Sequence, residues 1–258
     1  SMLRTFSPEG IWPQDNEWGM HDYTREGAQG CTSFNEIIAK GYGEPQNAKE
    51  FAELAQWVNY DGHRSLFESR SQNRKGLLMW MSHSCWPSMV WQTYDYYFEP
   101  TAAYFAIKKA SEPLHIQWNP ATDEVEVVNY SAGTHKGLTA KVQVLNMDAS
   151  VAWEKETTVD SNEDTTDKCI KLEFPENLSK VHFIKMTLTE DGKVVSDNFY
   201  HRSLEENNYQ DLRQLAKVAL QSATTVDKNA DGTWSAVSVI ENKTSTPALM
   251  IRFNVVGG

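Results

Sequence analysis

Apolar positions follow a helical spacing in the first part of the chain and an alternating one afterwards, and the change falls near Glu112-Pro113. In "SFNEIIAKGYG", Ser33 and Glu36 have capping-box spacing and Gly41 and Gly43 supply a stop, which predicts a short helix. "NAKEFAELAQWVNYDGHRSLFESRSQN" places Phe51, Leu54, Ala55, Val58, Leu66 and Phe67 near one face of a long amphipathic helix, with Gly62 as a tolerated interruption. "GLLMWMS", a short continuous apolar run after Gly76, reads as a strand buried on both faces. "EPTAAYFAIKKAS" then predicts another helix, with Pro100 in its first turn and Lys108 and Lys109 near the negative end of its dipole. Helix, buried strand, aromatic loop, helix is the grammar of a parallel α/β unit.

From Pro113 the period becomes two. "LHIQWN", "EVEVVNY", "LTAKVQVLNM", "VAWEKETTV", "CIKLEF", "VHFIKMTLTE" and "KVVSDNFY" are seven strand-like runs, and Asp191-Gly192 marks a hairpin. Seven short strands in this span predict an immunoglobulin-like sandwich over 113–204. Beyond "SLEENNYQ", the runs "KVALQSATTV", "TWSAVSVIEN" and "PALMIRFNVV" predict three more strands, with a turn at "KNADG". Three strands leave an unpaired edge and an open face, so 205–258 reads as the truncated start of a further β-sandwich.

Composition narrows the partners. Of 258 residues, 40% are hydrophobic and 23% charged, the balance of an ordinary soluble globular protein. The net charge of -11 repels a phosphate backbone, and no basic cluster longer than Lys108-Lys109 opposes it, so neither nucleic acid nor an anionic membrane surface is an expected partner. No apolar run approaches the roughly 20 residues that span a bilayer. The start, Ser1-Met2, reads as a cleavage scar, so it carries no information on export. Cys31, Cys85 and Cys169 contain no C-x-x-C pair, which argues against a disulfide framework or a zinc site and for small buried hydrophobes. Nucleotide-binding and serine-hydrolase motifs and an EF-hand loop are absent, so no cofactor and no metal is expected. Glu9, Asp15, Glu17 and Asp22 lie among prolines and glycines and read as solvated loop carboxylates, while His21-Asp22 could orient a loop. His63 has Phe67 in place of a second ligand at i+4, and Glu68 reads as structural.

The candidate chemistry lies in "WMSHSCWPSMVWQTYDYYFEP", where Trp80, Trp86 and Trp91 are followed by Tyr94, Tyr96, Tyr97 and Phe98. Flat indoles suit the apolar C–H face of a pyranose, while Ser82, His83, Ser84 and Gln92 are available to its hydroxyls. The alternative is that the three indoles are packing. "GLLMWMSHSCWPSMVWQTYDYYFEPTAAYFAIKKASEPLHIQWN" resembles glycoside hydrolase family 2, in its branch of exo-β-glucosaminidases and mannosylglycoprotein endo-β-mannosidases. The likeness extends more loosely through "LRTFSPEGIWPQDNEWGMHDY", "KGYGEPQNAKEFAELAQWVNY", "SDNFYHRS" and "LRQLAKVALQS".

The resemblance implies that 1–112 is the C-terminal portion of a (β/α)8 barrel and that the parent is a retaining β-glycosidase working with two glutamates, both before residue 1. It implies an inactive fragment, a β-linked glycoside as partner, Trp80 as sugar platform, His83 as hydroxyl partner and Trp86 as pocket wall, with self-association through exposed barrel surface. Localisation stays open, with a periplasmic or secreted parent as the expectation. A reading from another class is a non-catalytic carbohydrate-binding or scaffolding β-sandwich protein.

Overall fold

A computed structural model describes residues 2–21, 31–69, 76–89 and 92–253. Among the described residues the first part holds four α-helices: α1 (Asn16–Met20), α2 (Cys31–Tyr42), α3 (Ala48–Glu68) and α4 (Ala102–Ala110). α2 begins two residues before Ser33, which therefore lies inside the helix and not at its cap. Its stop is as expected: Gly43 has φ +85° and donates its N–H to the Ala39 carbonyl at 2.9 Å. At the start of α3 the Asn47 side chain accepts from the Glu50 amide while Glu50 accepts from the Gln46 amide, so two orphan donors are satisfied together. α3 buries Phe51, Ala55 and Phe67 on the predicted face, but Leu66 points outward. α4 is capped at Thr101, so Pro100 stands before the helix and not in its first turn. The core of this part forms around Trp18, which is 1% exposed and meets Phe6 and Phe51 edge to face.

Two expectations fail here. Residues 77–82 form no strand, and Leu78 is 99% exposed. Among the described residues of 2–112, β pairing is limited to the isolated bridges His83–Tyr94 and Tyr94–Pro100. An extended run needs hydrogen-bonded neighbours to satisfy its backbone and cover its faces, and without a ladder the apolar side chains stay in solvent. The described residues of 2–112 therefore form helices and an irregular aromatic segment, and no part of a barrel sheet is seen among them. The cysteine expectation fails in part, since Cys85 is exposed; Cys169 is half-buried, and burial pushes its thiol up to about 12.

The seven strands from Leu114 to Ser203 match the alternating runs: β1 (Leu114–Asn119), β2 (Glu124–Asn129), β3 (His135–Asn146), β4 (Val151–Ser161), β5 (Thr165–Lys171), β6 (Val181–Glu190) and β7 (Lys193–Ser203). They form two antiparallel sheets, β1-β2-β5 and β4-β3-β6-β7. Leu138, Ala140 and Val142 of β3 alternate into the core with Ile116, Val125, Ile184, Met186 and Leu188. The β6–β7 hairpin turns at Asp191 (φ 50°) and Gly192 (φ 74°), both left-handed as a primed turn requires. β8 (Gln221–Lys228) and β9 (Trp234–Glu241) form a separate exposed hairpin. The third strand expected beyond it is not formed within 247–253, and its last residues lie outside the described ones.

α3 docks on the sandwich through buried polar groups. Glu68 accepts from the Tyr200 hydroxyl at 2.9 and 3.0 Å and from Asn198 at 2.9 Å, and it faces His115 Nε2 at 3.2 Å. His115 Nδ1 faces Glu112 at 3.1 Å. Arg64, buried beneath the Tyr200 ring at 4.0 Å, donates to the Phe199 carbonyl and pairs with Asp61 at 2.9 Å. The structural reading of Glu68 holds, and β1 is buried on both faces because His115 meets α3 while Ile116 faces the core.

Candidate functional site

The aromatic segment is irregular but well tied. The Ser82 carbonyl accepts from the Thr93 amide, the Tyr94 amide and the Thr93 hydroxyl, at 3.2, 3.0 and 2.8 Å. Asp95, 7% exposed, accepts from the amides of Tyr97 and Glu99 and so closes a tight turn. That turn places Phe98 at φ 61° and lays its ring over His83, with centroids 4.3 Å apart and planes 16° apart. Thr101, the cap of α4, bonds back to the Gln92 carbonyl at 2.7 Å. Burial and the neighbouring Tyr104 phenol push the Tyr94 hydroxyl up, so it stays neutral.

Trp80 is 78% exposed and stacks on no ring among the described residues, which leaves an indole face open. Its peptide bond to Met81 is cis. Trp86 is partly exposed and lies parallel to the His21 ring. His83 is half-buried, with Nε2 enclosed and unpaired. The segment thus pairs Trp86 with His21 and His83 with Phe98, while Trp80 stands clear of both. Trp91 and Asp22 lie outside the described residues.

Of the four polar candidates, only Ser82 is exposed. Ser84 and Gln92 are buried, and Gln92 donates to Ser88. The nearby carboxylates are occupied by structure: Asp95 holds its turn, Glu99 pairs with Arg4 at 3.1 Å, and Glu17 accepts from Ser7. Asp15 caps α1, so this part of the acidic cluster is helix start and not loop. Among the described residues no group of three or more His, Cys, Asp or Glu could hold a metal ion. The geometry suits contact with a flat apolar face, and the described carboxylates named above are engaged in structure. Sequence reasoning missed Phe6 and Phe98 as ring partners. Asp95 at the head of "DYYFE" was the available signal for the turn that aims Phe98; nothing local marked Phe6.

Residues 123–203 match a family described as Mannosidase Ig/CBM-like domain. Across 99% of its length the chain is 28% identical to the exo-β-D-glucosaminidase of Amycolatopsis orientalis, of which the match spans 28%. It is 27% identical to the exo-β-D-glucosaminidase of Hypocrea jecorina over 86% of the chain and 28% of that protein. It is also 27% identical to the mannosylglycoprotein endo-β-mannosidase of Lilium longiflorum over 83% of the chain and 23% of that protein. The structure of the Amycolatopsis orientalis exo-chitosanase in complex with PNP-β-D-glucosamine superposes with a TM-score of 0.82 and 26% identity, covering 95% of this chain and 33% of that one. The β-D-mannosidase of Dictyoglomus thermophilum shares the fold, with a TM-score of 0.71 at 19% identity over 88% of this chain and 28% of its own. The resemblance to the glucosaminidase and endo-mannosidase branch is borne out, and the chain spans from 23% to 33% of the length of these relatives.

Proposed function

We propose that this chain, a relative of the exo-β-glucosaminidase branch of glycoside hydrolase family 2, is part of a retaining exo-acting β-glycosidase. The observation that carries the reading is that sequence and fold similarity run together through the helices, the aromatic segment and the sandwich, and do not stop at the sandwich. In this reading 1–112 is the end of a (β/α)8 barrel, 113–204 an immunoglobulin-like sandwich and 205–258 the start of another β-sandwich. The apolar run 77–81 is then the last barrel strand, whose partners lie elsewhere in the protein, which accounts for its exposure. The same exposed surface supports self-association of the chain alone.

Trp80 is the platform under the sugar, Trp86 a wall and His83 a hydroxyl partner. A retaining site holds two carboxyls about 5 Å apart, one to protonate the leaving oxygen and one to attack the sugar. The carboxylates around the aromatic segment are engaged in structure, so the reading assigns both catalytic groups to the rest of the protein. β-D-Glucosaminides are the first substrate to try, because the relatives that match most of the chain carry that name.

The test is hydrolysis of para-nitrophenyl β-D-glucosaminide, β-mannoside and β-galactoside by the protein that includes the remaining length, beside the 258-residue chain alone. The reading expects turnover with retained configuration from the first and none from the second. Binding of glucosamine without turnover by the longer protein would favour the non-catalytic carbohydrate-binding reading, which the CBM-like description of 123–203 also fits.

A further inference from the structure

We infer that His21 is a positioning residue for the wall of this site, holding the Trp86 indole in place; the inference rests on the carbohydrate reading above. Three contacts tie His21 to residues 86–89, some 66 positions away in sequence. Its ring lies parallel to Trp86, with planes 13° apart and centroids 5.8 Å apart. Its Nδ1 sits 2.7 Å from the Pro87 carbonyl, and because a carbonyl only accepts, Nδ1 carries the proton. Its own carbonyl accepts the Met89 amide at 2.8 Å.

Behind His21 the column continues into the core. Phe6, itself buried, also stacks on the imidazole, at 4.5 Å and 13°. Phe6 meets Trp18 edge to face at 5.4 Å, and the Trp18 indole donates to the carbonyls of Gly10 and Ile11. Trp18, Phe6, His21 and Trp86 therefore form a continuous column from a fully buried residue to a partly exposed one. A loop indole has several rotamers of similar energy, and this column selects one before any ligand arrives. Fixing the rotamer in advance removes an ordering cost from each binding event, so the effect belongs in KM more than in kcat.

The first test needs no ligand. The chain is labelled with 5-fluorotryptophan, and the Trp86 resonance is identified by its loss in Trp86→Phe. His21→Ala is expected to move or broaden that resonance while the Trp18 and Trp118 resonances, one from each core, stay in place. His21→Phe keeps a flat ring but loses the Nδ1–H bond, and should displace Trp86 by a smaller amount. If His21→Ala collapses the Trp18 resonance, the helical core has been lost and His21→Phe decides the question. An unmoved Trp86 resonance in the folded variant overturns the positioning role, whatever the site binds.

The second test uses the longer protein. There His21→Phe should raise KM for para-nitrophenyl β-D-glucosaminide about fivefold while changing kcat less than about twofold. A moved resonance with an unchanged KM overturns the place of Trp86 in a sugar site and leaves its contact with His21 standing. An equal fall in kcat and kcat/KM with KM constant also overturns the positioning role, since it would place His21 in the reaction itself.

Discussion

The sandwich and the aromatic segment are both rich in large apolar side chains, yet the first buries them and the second displays them. Ile184, Met186 and Leu188 of β6 are all 0% exposed, while Leu78, Trp80 and Phe98 are 99%, 78% and 72% exposed. Both regions are ordered by hydrogen bonds, but of different kinds. In the sandwich, backbone ladders bring one alternating strand against another, and each inward side chain meets a counterpart on the facing sheet. In the segment, Asp95, Thr93 and Thr101 hook the backbone from the side, which fixes its path without supplying a second layer. Apolar character alone does not decide burial; a second layer to pack against does.

The largest effect is expected where the helices meet the sandwich. Glu68→Ala removes the acceptor shared by Tyr200, Asn198 and His115, leaving buried polar groups unpaired. Breaking a buried pair of this kind costs about 3 to 5 kcal/mol, readable as a fall in the urea midpoint. A cost below about 1 kcal/mol would mean that the joint contributes little and that the two units hold separately. A sharper contrast compares the two regions directly. Leu188→Ala, in the sandwich core, should cost about 2 to 5 kcal/mol, whereas Leu78→Ala should stay within about 0.5 kcal/mol in this chain. Equal costs would break the comparison.

Legibility followed the same division. All seven sandwich strands were readable because a period of two reports a half-buried strand directly, and Asp191-Gly192 announced its turn. The long helix was readable from Phe51, Ala55 and Phe67, and Glu68 was readable as structural, but the same pattern hid the role of Arg64, since a charged residue on a helix is ordinarily read as solvated. "GLLMWM" misled because a continuous apolar run is read as a strand with both neighbours assumed, and a local pattern cannot report whether they exist. The candidate residues Trp80, His83 and Trp86 were visible as a cluster. Their partners were not, because Phe6 and His21 reach Trp86 through tertiary stacking that leaves no periodic trace.

Trp80 allows a test of intermediate size in the longer protein. Trp80→Ala should lower kcat/KM about tenfold, or about 1.4 kcal/mol of transition-state binding, with the melting temperature nearly unchanged. Trp18→Ala should do the opposite, since Trp18 is 1% exposed and removing a core tryptophan costs about 3 to 5 kcal/mol. If Trp80→Ala melts far lower and its folded fraction works normally, the exposed indole of this chain is core in the longer protein and the sugar platform lies elsewhere.

The smallest effect concerns pH, and it sharpens the picture of the joint. Burial lowers the His115 pKa, but hydrogen bonds to Glu112 and Glu68 and their negative charges outweigh it, so the folded value is raised above the ordinary one near 6.5. A raised histidine contributes stability that is fully present below its unfolded pKa and is lost as pH rises through the folded one. Glu112 works from the other side. Burial raises its pKa, but bonds from His115, Lys109 and Ser196 bring the folded value down to about 2. Its contribution is present above the ordinary value near 4.5 and fades as pH falls toward about 2, and partial exposure keeps it small. His182 and His201, both lowered by burial, add to the acid-side loss because each loses stability as pH falls through its folded pKa. Tyr200, held well above the usual tyrosine range by burial and by Glu68, remains a neutral donor throughout. Among these groups the alkaline limb therefore belongs to His115. Urea midpoints measured from about pH 5 to about pH 9 should decline above the ordinary histidine value in the wild-type chain, and this decline should vanish in His115→Gln. A wild-type profile that stays flat across that range would mean that Glu68 and Glu112 are held by their other partners, with the imidazole between them already neutral.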